Sequence, residues 1–571
     1  MNSSFFSNNR AKIFSYKITG STPYITISKT PGEGVWKFGN EKVIYANTPV
    51  YNSMTGDTIS LYTDSYDKIT ILTLSSVTGH IDVSDFRKVT QFDMHDCGGL
   101  TGITNPNTNA LVNSYTFYGC DLRNLSCLKI NNLGGYFNTN ANPRLTAITL
   151  PNSSEKFTNF YSFGCDLRDL NLSSLSGLGG TVYLQVNPNL TAITFPNSSE
   201  EFNQITLSNC DLRAINCSTL SGLGGQFSIS SNSNLTALTL PNTARNITLF
   251  QAQDCDLKKL DCSTLSGVGG TFAAYNNSGL TSVTFANSIV SSASNLSIFY
   301  IYDCDLRTLD LSGFSKLGGD FQIPNNVNLS SITLPNSSLS FSQFHVYNCN
   351  LKNLNVSTLS GLGGYFHAYN NSSLTSITNP NSSQTFNSYK AYACNLTGNL
   401  NVSGLSGLGG DFRVYSNSAL TSITNPNSSV SFSYYHAYNC NLTGTLDLSG
   451  LSGLGGSFQV YNNSGLTSII LPPSSQKFTH FYSYLCSNLN YINFWPISGS
   501  NSSDVIIYVY NNSWTTSIVN HVLYDLDQIG WTGGTLFIGG TNAAPDGSSG
   551  GYDGTTAKSN LITKYWTVSS T

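Results

Sequence analysis

Apolar and polar residues alternate over short stretches of this chain, and the same alternation returns many times. Two examples are Leu190-Thr-Ala-Ile193-Thr-Phe195 and Leu212-Arg-Ala-Ile215-Asn-Cys217. Successive side chains of a strand point to opposite faces, so the apolar residues of each stretch share one side. One such stretch cannot bury its apolar side alone. The pattern therefore predicts short strands that stack in parallel on many similar neighbours.

A cysteine marks the length of the repeat. The motif Cys-Asp-Leu-Arg begins at Cys120 and returns, with small changes, at intervals of 45, 45, 45, 49, 45, 45, 46 and 46 residues. The later cysteines are Cys165, Cys210, Cys255, Cys304, Cys349, Cys394, Cys440 and Cys486. Between them lie glycine pairs such as Gly179-Gly180 and Gly409-Gly410. Each long repeat thus holds two coils of about 22 to 23 residues, a length typical of leucine-rich repeats.

The segments Leu329 to Cys349 and Leu374 to Cys394 resemble BspA-type bacterial leucine-rich repeats. The resemblance extends from about Asp96 to Asn493. It implies a mostly β fold, a leucine-rich-repeat-like parallel solenoid, and a role like that of the surface adhesins and bacteriophage tail or fibre proteins that carry such repeats. This chain departs from the simplest pattern because every second coil carries Gly-Gly in place of Cys.

The two ends lack the repeat. Residues 1–85 contain alternating stretches such as Tyr24-Ile-Thr-Ile-Ser28 and are expected to form an N-terminal β-rich domain, a possible attachment point. Within it, Val35-Trp-Lys-Phe-Gly39 followed by Asn47-Thr-Pro resembles a PKD-type β-sandwich. The solenoid is expected over residues 86–500.

Residues 501–571 are expected to form a small α/β capping module. Ile518, Val522, Leu526 and Ile529 stand at helical spacing. Strands are expected near 535–540 and 566–569, and a short helix near 556–563. A cap is the favoured role because the last coil would otherwise expose its apolar core and strand edge.

Composition narrows the function classes. Charged residues make up 10% of the chain, the formal net charge is −4 and aromatic residues reach 12%, which favours a folded protein over a disordered one. No basic surface for nucleic acid is expected, and no apolar run is long enough for membrane insertion. The first residues lack the apolar segment of a signal peptide. We therefore expect the virion or an extracellular surface, reached by a route such as release of particles on lysis.

The recurring cysteines and aspartates favour structural roles. Neighbouring cysteines of the main series would lie two coils apart, about 10 Å, beyond the separation that a disulfide spans. We expect buried free thiols and neither a metal nor a cofactor. The aspartate after each cysteine, for example Asp166 and Asp211, is expected to accept backbone N–H bonds in the bend.

Tyrosines form the sharpest pattern in the sequence. Tyr347, Tyr369, Tyr392, Tyr415, Tyr438, Tyr461 and Tyr484 are separated by 22, 23, 23, 23, 23 and 23 residues, one per coil. Strand alternation predicts that Phe344 and Val346 point inward, whereas the tyrosines point outward beside His345, Lys390 and His436. These seven tyrosines and three basic residues are the candidate ligand-binding set. Alternatively, the column serves only to stabilise the stack.

The sequence favours a non-enzymatic adhesin, receptor-binding or fibre protein. No HExxH or GxSxG motif accompanies its histidines. As a bacteriophage virion component it would present a solenoid face to a host surface glycan or protein and contact other virion proteins through the N-terminal domain. The sequence is compatible with a monomer and with an oligomer. The alternatives are a purely structural virion decoration or fibre scaffold, and a bacterial cell-surface leucine-rich-repeat protein.

Overall fold

The fold is taken from a computed structural model. It describes residues 71–570 apart from 76, 85, 287–294, 475 and 495–503, and the backbone alone of residues 75, 77, 493 and the strands before residue 71. The chain divides into two compact units, Met1–Ser294 and Asn295–Thr571. Within the described residues, neither helix combines the length and the apolar character that a membrane crossing needs.

The first unit begins with antiparallel strands and continues as a parallel solenoid. Its N-terminal strands are Ala11–Ile18, Tyr24–Lys29, Gly34–Phe38, Lys42–Tyr45, Val50–Tyr51 and Thr58–Thr63. Parallel pairing starts where Ile69–Ser75 joins Gln91–His95. The residues that resemble a PKD-type sandwich lie outside those whose side chains are described. The predicted domain boundaries therefore stay predictions.

From there each coil of the first unit contributes one strand to a main parallel sheet. After Gln91–His95 these strands are Thr108–Tyr118, Ile130–Asn138, Phe157–Tyr161, Gly180–Tyr183, Phe202–Thr206, Leu223–Ser228, Thr243–Gln251 and Leu265–Ala273. Val77–Asp82 pairs in parallel with Gly99–Thr104. Shorter parallel pairs follow, namely Asn124–Ser126 with Ala147–Thr149, Asp169–Asn171 with Ala192–Thr194, Ala214–Asn216 with Ala237–Thr239, and Lys259–Cys262 with Ser282–Phe285.

The second unit repeats this design. Its main sheet consists of Leu296–Tyr300, Leu317–Gln322, Phe341–His345, Gly364–His367, Phe386–Lys390, Gly410–Arg413, Phe432–His436, Gly456–Gln459, Phe478–Tyr482, Ile506–Tyr508, Gly534–Phe537 and Trp566–Ser569. The shorter strands are Thr308–Asp310 with Ser331–Thr333, Asn353–Asn355 with Ser376–Thr378, Thr397–Asn401 with Ala419–Thr424, and the trio Gly444–Asp447, Leu466–Ile470 and Tyr491–Asn493. The mostly β, parallel solenoid fold predicted from the repeat is confirmed.

Two helices stand near the C-terminus. The first helix, α1, spans Thr516–Ile529 and ends at Gly530, whose φ is 78°. The second, α2, spans Gly554–Thr563 and follows a 3-10 turn at Ser549–Gly551. Both predicted helices are present, with Val522 and Leu526 buried and Ile518 and Ile529 half-buried. The last two strands continue the main sheet in parallel, so this segment extends the solenoid rather than pairing separately.

The core of each coil follows the predicted alternation. Phe344 and Val346 are fully buried, whereas Tyr347 is half-buried. Inward rings stack from coil to coil, as Phe344 does on Phe366 with centroids 5.5 Å apart. The inward tyrosines keep their hydroxyl groups satisfied: Tyr389 donates to Asn379 Oδ1 at 3.3 Å. An aromatic column therefore fills the interior of the second unit behind the main sheet.

A buried asparagine column, missed at the sequence level, closes the bend of every long repeat. Asn417 is fully buried; its Nδ2 donates to Ala391 O at 2.9 Å and Val414 O at 2.8 Å, and its Oδ1 accepts from Leu396 N at 3.1 Å. The same pattern holds at Asn142, Asn187, Asn232, Asn277, Asn326, Asn371 and Asn463. These amides satisfy backbone groups that the bend would otherwise leave unpaired.

The expected role of the aspartates is wrong. Asp166 Oδ1 accepts from Asn189 Nδ2 at 2.5 Å, and Asp121 Oδ2 pairs with Arg144 Nη1 at 3.0 Å, so both carboxylates face side chains of the following coils. The backbone N–H of the bend is already taken, since Leu167 N donates to the buried Asn187 Oδ1. The aspartates therefore link surface side chains between coils.

Eleven of the thirteen cysteine thiols are buried, as predicted, and Cys394 and Cys440 are half-buried. Cys349 Sγ lies 3.5 Å from Ile323 O of an earlier coil. Burial raises the pKa of Cys349 to about 12 and that of Cys210 to about 11. Among the described side chains, no group of three or more His, Cys, Asp or Glu residues could hold a metal ion.

We expect these thiols to react with Ellman's reagent at pH 8 at least ~100-fold more slowly in the folded protein than in urea, because only the thiolate attacks the reagent. The half-buried Cys394 and Cys440 should react first. Mass mapping of labelled peptides against time measures both rates. Equal labelling of folded and unfolded protein would show that the coils open readily.

Candidate functional site

The predicted tyrosine column exists and is one member longer than the predicted set. We use "tyrosine column" for Tyr347, Tyr369, Tyr392, Tyr415, Tyr438, Tyr461, Tyr484 and Tyr510. Neighbouring ring centroids are 4.4 to 4.7 Å apart, and neighbouring planes differ by 4° to 8°. Every ring is half-buried. The column lies in the second unit and runs without interruption over eight coils.

A left-handed corner places each of these tyrosines. The residue after each tyrosine has a positive φ, for example 53° at Asn348, 56° at Ser416 and 52° at Asn439. Asparagine tolerates this conformation better than most residues. Each strand of the main sheet is followed by this corner at the same position in its coil. The tyrosine directly before the corner therefore stands in register with the tyrosines of the neighbouring coils.

The rings present their edges rather than their faces. Parallel rings with centroids about 4.5 Å apart cover much of each other's faces. The ring faces are therefore occupied by the neighbouring rings and are not open to a ligand as flat apolar platforms. A ligand meets a row of phenol edges and hydroxyl groups instead. Burial, followed by repulsion from the phenolates of Tyr347 and Tyr392, raises the pKa of Tyr369 to about 12, so this row is neutral at pH 7.

A second column runs beside the tyrosines, two residues earlier in each coil. We use "basic column" for His345, His367, Lys390, Arg413 and His436, which are paired in register along the main sheet. The rings of His345 and His367 stack with centroids 4.5 Å apart. His436 is buried, and its Nε2 lies 3.2 Å from Ser457 Oγ. The structure thus brings together all three basic residues predicted as site residues.

The three histidines of the basic column are neutral at pH 7. Burial is the first cause of the lowered pKa in each. The pKa of His367 falls to about 3, with His345 adding repulsion, and that of His436 falls to about 4, with Arg413 adding repulsion. The pKa of His345 is also lowered. The permanent positive charge of this column is therefore carried by Lys390 and Arg413.

Family comparison gives a clear result. The BspA type leucine rich repeat region matches in six copies, over residues 73–183, 159–269, 225–321, 263–366, 323–409 and 411–519, which together cover more than half of the chain. The chain belongs to this family. The resemblance noted from Leu329 to Cys349 is thereby confirmed, and the protein is a leucine-rich-repeat scaffold.

Similarity to solved structures is lower. A leucine-rich repeat protein from Bacteroides ovatus is 14% identical with a TM-score of 0.38, and the match covers 66% of this chain and 94% of that one. The TLR13 chain of a TLR13–ssRNA13 complex is 12% identical with a TM-score of 0.15, covering 83% of this chain and 80% of that one. No curated protein matched.

Within this BspA-type solenoid, four further residues border the candidate set and were not predicted. Arg413 and Asp411 come from a glycine-pair coil, whereas Lys390 and His436 come from cysteine coils. Tyr365 and Tyr434 are 44% and 41% exposed and stand two residues before the basic column. Arg413 could have been predicted from the sequence, because it follows Lys390 by the same step of 23 residues that separates the tyrosines.

Proposed function

We propose that this leucine-rich-repeat protein is a non-enzymatic binding scaffold, an adhesin that presents the tyrosine column to a glycan or protein on a host surface. The observation that carries the proposal is the unbroken row of eight half-buried, stacked tyrosines in a single stretch of the chain. Rows of neutral hydroxyl groups suit partners that hydrogen-bond through many weak, repeated contacts.

The coil itself does not require these tyrosines. In the first unit Ser230 occupies the position equivalent to Tyr369 of the second unit. Two matching hydrogen bonds show this equivalence: Asn209 N donates to Ser230 O, and Asn348 N donates to Tyr369 O. Serine there supports the same coil geometry. Stacking stabilises the column where it occurs, yet a need of the fold alone would apply to both units. This difference favours a ligand-binding role for the second unit.

Family membership supports an extracellular placement on a bacterial cell surface. The bacteriophage placement, with other virion proteins held by the N-terminal domain, stays a prediction, as does a structural fibre that binds no ligand. Quantitative proteomics of purified particles and of cell envelopes separates the two locations. A symmetric assembly that binds no host cell would favour the fibre.

The test compares two fourfold variants at Tyr392, Tyr415, Tyr438 and Tyr461. Phenylalanine keeps the rings and removes the hydroxyls; alanine also removes five stacked contacts, each worth ~0.5–1.5 kcal/mol. We expect both variants to lose binding to host cells and glycan arrays about tenfold or more, and only the alanine variant to melt at a clearly lower temperature.

A matched control replaces Tyr161 and Tyr183 by phenylalanine. These half-buried tyrosines belong to the main sheet of the first unit, outside the column, and should leave binding unchanged. If the fourfold phenylalanine variant binds as the natural protein does, the hydroxyl row is not the binding site. The column would then serve only to stabilise the stack.

A further inference from the structure

One charged cluster lies at the middle of the basic column. Lys390 and Arg413 are paired in register on adjacent strands, and Asp411 stands between them. Lys390 Nζ lies 3.0 Å from Asp411 Oδ2, and Arg413 Nε donates to Asp411 Oδ1 at 2.5 Å. Their side chains are 23%, 29% and 18% exposed, so all three are partly shielded yet reachable from solvent. Two cations therefore share one carboxylate.

The cluster has more hydrogen-bond donors than acceptors. An ammonium group offers three N–H donors and a guanidinium group five. Asp411 contacts one donor atom of each cation, and no other acceptor among the described residues meets Lys390 Nζ or the two Nη atoms of Arg413. The guanidinium carbon lies 4.7 Å from the ring centroid of Tyr434, a contact that holds the group in place. Several positively charged donors are thus positioned and unused.

Among the residues that the structure describes, no neighbouring charge cancels this surplus. The flanking histidines His367 and His436 are neutral at pH 7, because burial lowers the pKa of each. Four coils away, or about 19 Å, the carboxylate in register with Asp411 is Asp320. It already accepts from the Tyr300 hydroxyl and from Gln322 Nε2. The cluster therefore carries a net charge of about +1, beside the hydroxyl row of the tyrosine column.

We propose that this cluster binds the anionic group of an acidic saccharide, a carboxylate or a sulfate, while the tyrosine column meets its hydroxyl groups. The inference rests on the proposed binding function and specifies the ligand class. Lysine and arginine form charge-assisted hydrogen bonds to such oxygens, and a guanidinium group can donate two in parallel. Tyr392 and Tyr415 stand two residues after Lys390 and Arg413, so their hydroxyls border the same ligand.

The experiment titrates the full chain by calorimetry with three probes of equal length: an oligogalacturonate, its fully methyl-esterified form and a sulfated neutral oligosaccharide. We expect at least one anionic probe to bind about tenfold or more tightly than the ester, with an affinity that falls as salt rises. Preference for the uronate identifies carboxylate as the recognised group, and preference for the sulfated probe identifies sulfate.

The variant Lys390→Gln/Arg413→Gln should lose this preference. Its matched control is Arg307→Gln/Lys352→Gln, which removes the same charge from two exposed positions just after cysteine bends and should retain the preference. Asp411→Asn keeps both cations and removes the internal competitor, so it should bind the anionic probe about threefold or more tightly. This third variant tests the idea even if the first fails to fold.

The outcomes separate recognition of an anionic group from ligand binding as such. Equal affinity for acid and ester, with both lost in the fourfold phenylalanine variant, would overturn the anionic class and leave the binding function standing. Binding of host cells without binding of any saccharide would do the same. Absence of binding to cells and to all three probes would overturn both.

Discussion

Asn417→Ala is expected to destabilise the second unit by about 3 kcal/mol or more. The asparagine is fully buried, and its amide satisfies two carbonyl groups and one N–H of the backbone. Alanine would leave Ala391 O and Leu396 N buried without a partner, and Val414 O would keep only the weak thiol donor Cys440 Sγ at 3.4 Å. Each unsatisfied group costs about 1–3 kcal/mol. Little relaxation is available, because the bend is enclosed by the coils on both sides.

Urea unfolding gives the overall change, and native-state hydrogen exchange locates it, since repeat arrays open locally. Protection should fall first in the coils around Leu396 and Val414. The matched control is Asn395→Ala, which removes an exposed amide in the same region and should stay within about 0.5 kcal/mol of the natural protein. A similar loss in both variants would mean that the amide column adds nothing specific.

The sequence was informative about this fold because repetition turns local alternation into three-dimensional position. One coil length and the inward side of Phe344 are enough to place the same side chain in every later coil. The asparagine column had a signal too: Asn371, Asn417 and Asn463 each stand three residues before a leucine. The pattern could not show that this polar residue is buried in the bend. Its burial depends on hydrogen bonds to carbonyl groups of the preceding coil, which become neighbours only in the folded chain.

The sequence predicted the position of the candidate site better than its exposed chemical groups and its charge. Spacing fixes where the Cβ atoms of Tyr392 and Tyr415 lie, but the side-chain rotamer decides whether ring faces or ring edges meet the solvent. The interaction of Lys390 with Asp411 depends on the register of two neighbouring strands, which the motif of either coil alone does not contain. Charge at the site therefore became visible only with the fold.

The glycine pairs matter because they set the register with the following strand. Gly410 has a φ of 60°, and a Cβ there would lie 2.2 Å from Asn387 O. It is also the residue at which the pairing with the next strand shifts by one, directly before Asp411. Only glycine combines this conformation with so close an approach to another backbone.

Gly410→Ala is therefore expected to cost about 3 kcal/mol or more, from ~1–2 kcal/mol of left-handed strain and the remainder from the backbone clash. Gly398→Ala is the matched control, since Gly398 has a φ of 63° and open space around the added atom, and it should show the strain alone. Urea unfolding of both variants measures the difference. Because Gly410 begins the strand that carries Asp411 and Arg413, its variant should also weaken binding of the acidic saccharide, whereas the Gly398 variant should not. Equal costs in the two variants would show that the coils separate to admit the extra atom. Gly410 would then be required for its positive φ and not for its close contact with the neighbouring coil.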